Sequence, residues 1–122
     1  MDIEKVRDVI RNCNIVRYEE FGAVVLTDRR EPCGRKVAVW AMLSRDGMVI
    51  SDMGNAATIY RTLPRIEEAL EVAAARYSVE NEEGVLSVEV KAPEDIEDAI
   101  SRVADAFSYA AHLAFGQPEA TA

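Results

Sequence analysis

The stretch VAVWAMLSRDGMVISDMGNAATIY, residues 37–60, decides the fold. Its first eight residues, VAVWAMLS, are apolar at alternating positions: Val37, Val39, Ala41 and Leu43 on one side, Ala38, Trp40 and Met42 on the other. A strand apolar on both faces is expected in the middle of a sheet and covered on both sides. Asp46-Gly47 is a hairpin signal between two apolar runs, so MVIS returns antiparallel to the first strand. The chain then bends at SDMGN and enters a short helix, NAATIYRTL, with Asn55 as the expected N-cap. An antiparallel hairpin followed by helix is the start of an α+β protein.

Asp52 at the bend has two readings. A strand-to-helix bend needs an oxygen to accept free backbone N–H groups and a glycine that tolerates positive φ. Asp52 and Gly54 supply both without any catalysis. Alternatively, Asp52 is the upstream acid of a divalent-metal nuclease, with Glu89 and Lys91 as its acid-x-lysine triplet. Two carboxylates would hold Mg²⁺ and the lysine would activate water. The triplet arrives only after two helical segments, an awkward route for a site normally built on adjacent strands. The structural reading is the stronger one.

Outward from the bend the pattern continues as helix, strand, helix. DIEKVRDVIRNC, near the N-terminus, has a helical stripe with Asp2 as cap, and NIVRYEEFGAVVLTD is extended and interrupted near Gly22, either by a bulge or as two short strands. RREPCGRK, residues 29–36, reads as a loop. Pro64 opens a helix whose stripe is Ile66, Ala69, Leu70, Ala73 and Tyr77. SVENEEGVLSVEV is a strand pair or a turn feeding one strand, with Asn81 to Gly84 as the turn and Leu86, Val88 and Val90 on one face of the strand. Pro93 opens the longest helix, with stripe Ile96, Ile100, Val103 and Phe107. The expected order is α-β-β-β-α-α-β-α: a mostly antiparallel sheet with helices packed on one face, one domain over 1–116 and a frayed tail over 117–122.

The last helix becomes apolar on most sides from Ala104 to Phe115, so it is either deeply buried or shared with a partner; the second reading is a homo-oligomer interface through Phe107, Ala111, His112 and Phe115.

Charge narrows the function. Residues 1–61 carry ten Lys/Arg and nine Asp/Glu, a net of +1; residues 62–122 carry four and thirteen, a net of −9, giving −8 for the chain. An acidic half repels a nucleic-acid backbone and suits a protein partner, with Glu67, Glu68, Glu71, Glu94, Asp95 and Asp98 as contact residues. The basic loop residues Arg29, Arg30, Arg35 and Lys36 are a candidate anion-binding cluster. Two cysteines and one histidine do not make an ordinary zinc site, and no phosphate-binding or dinucleotide motif is present, so no cofactor or metal is expected. No apolar run approaches the roughly 18 residues of a membrane span. MDIEKVRDVI has neither signal- nor transit-peptide character, so the expected location is cytoplasmic.

The stretches GMVISDMGNAATIY, PRIEEALEVAAARYSVENEEGVLSVEV and EDIEDAISRVADAF together resemble the domain-of-unknown-function family 1828 of bacteria, archaea and their mobile elements. The resemblance covers roughly residues 35 to 110. It implies the same order of strand, bend and helices and a phage or mobile-element setting, with a partner in a host defence or nucleic-acid-handling complex. It supplies no catalytic residue, and the expectation is a non-enzymatic binding module.

Overall fold

The computed structural model describes residues 3–11, 13–19 and 22–116. The Asp2 cap and the 117–122 tail lie outside them. The elements are α1 (Ile3–Arg11), β1 (Ile15–Glu19), β2 (Gly22–Arg30), β3 (Lys36–Leu43), β4 (Met48–Ser51), α2 (Asn55–Ile59), α3 (Ile66–Tyr77), β5 (Glu80–Glu82), β6 (Val85–Val90) and α4 (Ile96–Ala114), the last preceded by a 3₁₀ turn at Pro93–Asp95. Six strands form one antiparallel sheet in the order β1-β2-β3-β4-β6-β5, and the helices pack on one face of it: an α+β fold.

In two segments the open alternatives of the sequence resolve to strand pairs, which adds two strands to the simplest order. The run broken at Gly22 is two strands, β1 and β2. At Gly22 the β2 backbone lies so close to β3 that a Cβ would sit 1.9 Å from the Ala41 carbonyl oxygen. The Asn81–Gly84 turn is a hairpin, with Glu83 (φ 52) and Gly84 (φ 90) both left-handed. The Asn81 side chain accepts the Gly84 N–H at 2.9 Å.

The loop expected over 29–36 is shorter. Arg30 pairs with Lys36, and the Glu31 N–H donates to the Arg35 carbonyl at 2.8 Å. Strand pairing extends through charged residues because the ladder, not side-chain propensity, fixes the ends. At the other end of the chain's helices, Pro64 lies in a turn and α3 starts two residues later, at Ile66.

The core lies between sheet and helices. Val25, Val39, Ile50, Leu86 and Val90 meet Leu70, Ile96, Val103 and Phe107 there, all buried. Ala99, Ala106 and Ala110 on α4 are at most 1% exposed; such small side chains let the helix approach the sheet closely. α4 touches β2, β3, β4 and β6 on one side and α3 on another, which is why its apolar surface runs round most of its circumference.

β3 is central in the sheet but covered on one face only. Val37, Val39 and Ala41 are buried beneath the helices, whereas Ala38, Trp40 and Met42 are half-buried on the opposite face. The sequence alone implied cover on both sides; the helices supply it on one. Among the described residues no helix is long and apolar enough to cross a membrane.

Candidate functional site

At the bend after β4, Met53 (φ 58) and Gly54 (φ 75) turn through the left-handed region. Glycine suits the second position because it has no Cβ to clash there. The Met53 N–H is held by the Ser51 hydroxyl at 2.9 Å. Asp52 is fully buried. Its Oδ1 accepts the N–H of Gly54 at 2.8 Å and of Leu86 at 3.0 Å, and its Oδ2 accepts the N–H of Ala56 at 3.0 Å. Its own N–H donates to the Leu86 carbonyl at 3.1 Å.

The side chain therefore extends the β4–β6 ladder by one step and caps the start of α2. Asn55 makes no side-chain cap there, contrary to the sequence expectation, because the Asp52 carboxylate already occupies that role. Burial pushes the Asp52 carboxyl above its ordinary range, and the three N–H donors pull it part of the way back.

Glu89 and Lys91 are placed elsewhere. Glu89 pairs with Val49, three residues before Asp52, about 10 Å away along the strand. Glu89 and Lys91 are exposed and border a shallow hollow beside the Ser44–Gly47 turn. The structure does not bring the three residues of the nuclease reading together. Among the described residues no cluster of three His, Cys, Asp or Glu side chains is arranged to hold a metal ion.

The basic loop is engaged with the chain itself. Arg35 forks onto Glu31 through Nε at 2.6 Å and Nη2 at 3.0 Å. Arg29 pairs with Asp105, Lys36 with Asp28 at 3.6 Å, and Arg30 donates to the Gly34 carbonyl at 2.8 Å. Each of the four candidate anion ligands already has an acceptor.

Glu31, only 4% exposed, is the hub of this loop. The Tyr60 hydroxyl donates to its Oε1 at 2.6 Å, and the Tyr60 ring meets the edges of Phe107 and Phe115. Burial alone would raise the Glu31 carboxyl. The hydrogen bonds from Arg35 and Tyr60, with the Arg35 charge, outweigh it and hold the carboxyl below its ordinary range. Burial, then the bond to this carboxylate, pushes the Tyr60 phenol upward. Sequence reading passed over Glu31; an acid next to Pro32 in a basic loop was its only signal.

The acidic residues fall in two groups. Glu67, Glu68 and Glu71 lie on the exposed face of α3; Glu94, Asp95 and Asp98 lie at the entry to α4. Arg102 stands beside the second group. It bonds Asp98 at 3.3 Å, and its guanidinium donates to the carbonyls of Tyr77, at 3.1 Å, and Ser78 at the end of α3. Glu67 and Glu71 border an open groove of about 460 Å³ between α2, α3 and the β5–β6 turn. Arg61, Asn81 and Glu83 line it too.

At the end of α4, Phe107 (3% exposed) and Ala111 (0%) belong to the chain's own core. No second copy is needed to cover them. His112 is half-buried, with Nδ1 2.8 Å from the Ser108 carbonyl, and Phe115 is 48% exposed. Both cysteines are free thiols; Cys33 is exposed, and burial followed by the Glu97 charge raises the Cys13 thiol.

Compared with known protein families, curated proteins and solved structures, the chain matches none.

Proposed function

We propose that this protein is a non-enzymatic binding module whose acidic α3 face meets a basic segment of a protein partner. The observation that carries the reading is a contrast between carboxylates. Asp52 is buried with both oxygens engaged by backbone N–H groups, which favours a structural role. Glu67 and Glu71 are exposed and border a groove, with Glu83 beside them. Three carboxylates around a concave groove steer a basic partner, and Arg61 on the same rim helps fix its register. The family 1828 resemblance adds a setting to this reading: a mobile element whose product engages a host defence or nucleic-acid-handling complex in the cytoplasm.

The test is affinity capture from native lysate with the wild-type chain and with Glu67→Lys/Glu71→Lys, each with and without nuclease treatment. A stoichiometric protein retained by wild type after nuclease, and lost by the charge-reversed variant, supports the reading. Partners released by nuclease, or captured equally by both chains, contradict it. The runner-up, a metal-dependent nuclease using Asp52, Glu89 and Lys91, requires Mg²⁺-dependent cleavage abolished by Glu89→Ala in a chain that keeps its fold.

A further inference from the structure

β5 is the last strand of the sheet, and among the described residues no strand lies beyond it. Its neighbour β6 tells where its backbone groups point. The Leu86 N–H and carbonyl both engage Asp52, on the β4 side of β6. Asn81 is the β5 residue opposite Leu86, so the two form a non-hydrogen-bonded pair of the antiparallel ladder. In such a pair the backbone groups of each residue turn away from the other strand. The Asn81 N–H and C=O therefore face outward, from the open edge of the sheet. An edge of this kind is a template for another extended chain.

The side chains around the edge select what pairs there. Leu86 is buried beneath the helices, so Asn81 opposite it lies on the helix side, and Glu80 and Glu82 lie on the other face, both exposed. On the helix side Asn81 lines the groove with Glu67, Glu71 and Glu83. Among the described residues none of these carboxylates takes part in a salt bridge. The edge is thus acidic on both faces. A second copy is disfavoured: two β5 strands paired antiparallel about Asn81 would set Glu80 opposite Glu82 of the other copy, and like charges directly opposite are destabilising.

We propose that the β5 edge takes an extended basic peptide as an added strand, with Lys or Arg at three consecutive positions. The central residue exchanges both backbone hydrogen bonds with Asn81 and sends its side chain into the groove, towards Glu67, Glu71 and Glu83. Its two neighbours lie on the open face, directly opposite Glu80 and Glu82. Backbone bonds give affinity in this mode, and the alternate side chains give the selection. The groove, about 460 Å³, holds one such side chain with its water. A strand with one outward-facing residue makes a small contact, so the binding is weak and transient. This inference rests on the acidic-groove reading and adds to it the conformation of the partner and the strand that receives it.

The probe is a dye-labelled peptide, Thr-Val-Lys-Lys-Lys-Val-Thr, beside the same peptide N-methylated at the central lysine. Methylation keeps every charge and removes the N–H that the Asn81 carbonyl would accept. Both are titrated to about 1 mM into the purified chain by fluorescence anisotropy, in about 0.15 M salt to screen unspecific attraction. Amide hydrogen exchange is followed by NMR in the same samples. The unmethylated peptide is expected to bind, and the methylated one about tenfold more weakly. The Asn81 N–H should exchange fast in the free chain and slow when the peptide is added, while the Leu86 N–H stays protected throughout. Glu80→Lys/Glu82→Lys, both at exposed positions, should abolish binding; circular dichroism checks the fold. Equal binding of the two peptides, an Asn81 N–H as protected as that of Leu86 in the free chain, or binding of neither peptide overturns strand addition. Each of these leaves the acidic-groove reading standing, which falls only to the capture experiment.

Discussion

The Tyr60 hydroxyl donates a 2.6 Å hydrogen bond to the carboxylate of Glu31, twenty-nine residues earlier in the chain. This bond ties the segment after α2 to the loop between β2 and β3. Tyr60 also carries the edges of Phe107 and Phe115, so one side chain joins the loop to the end of α4.

Replacing Tyr60 by phenylalanine removes the bond and keeps the ring. Glu31 retains Arg35, so no charge is left bare. A hydrogen bond to a charged acceptor contributes about 1.5 to 3 kcal/mol. Urea unfolding of Tyr60→Phe should show a loss in that range with an unchanged m-value.

The same site sets part of the acid sensitivity. The folded-state pKa of Glu31 is depressed, chiefly because the Arg35 and Tyr60 bonds outweigh its burial. A depressed carboxyl stabilises the fold above its unfolded pKa, and that contribution is lost as pH falls through the lower folded value. Wild type should therefore lose stability from the ordinary carboxylate range downward. Glu31→Gln should be less stable at neutral pH and show a flatter acid limb. Thermal unfolding of both chains from neutral to strongly acidic pH measures the difference.

Gly22→Ala should fail for a steric reason. The added Cβ would lie 1.9 Å from the Ala41 carbonyl oxygen, and backbone must move to admit it. Overpacking of this kind costs about 1 to 3 kcal/mol or more. Gly34→Ala is the control: it meets nothing within 4 Å, so its cost is that of the left-handed φ of 91° alone. That is about 1 to 2 kcal/mol. Denaturation midpoints should place Gly22→Ala below Gly34→Ala.

Much of this architecture is written in local pattern. The hairpin over 37–51, the turn at Asn81–Gly84 and the α4 stripe were each legible because alternation, turn residues and helical period agree there. The bend at Asp52 was legible as turn chemistry, but the Leu86 N–H that it also receives lies thirty-four residues away and leaves no local trace. The same holds for Glu31 and Tyr60. The apolar surface all round α4 left burial and a partner contact both open, because a sheet and a second helix of the same chain can cover it as readily as a partner; for Phe107 and Ala111 they do. Trp40 shows the reverse: alternation reports that both faces of β3 are apolar, not which of them the helices cover. Loop charges were legible as charges, whereas Asp105, the partner of Arg29, is set by tertiary packing.

The central claim is that Asp52 belongs to the fold and not to a metal site. Urea unfolding of wild type and Asp52→Ala, each with and without Mg²⁺, tests it most directly. Removing the carboxylate leaves three buried N–H groups without their acceptor, at about 1 to 3 kcal/mol each. The account predicts a loss of about 3 kcal/mol or more for Asp52→Ala, and no effect of Mg²⁺ on either chain. An Asp52→Ala chain as stable as wild type, together with a wild type that Mg²⁺ stabilises and the variant does not respond to, would contradict it.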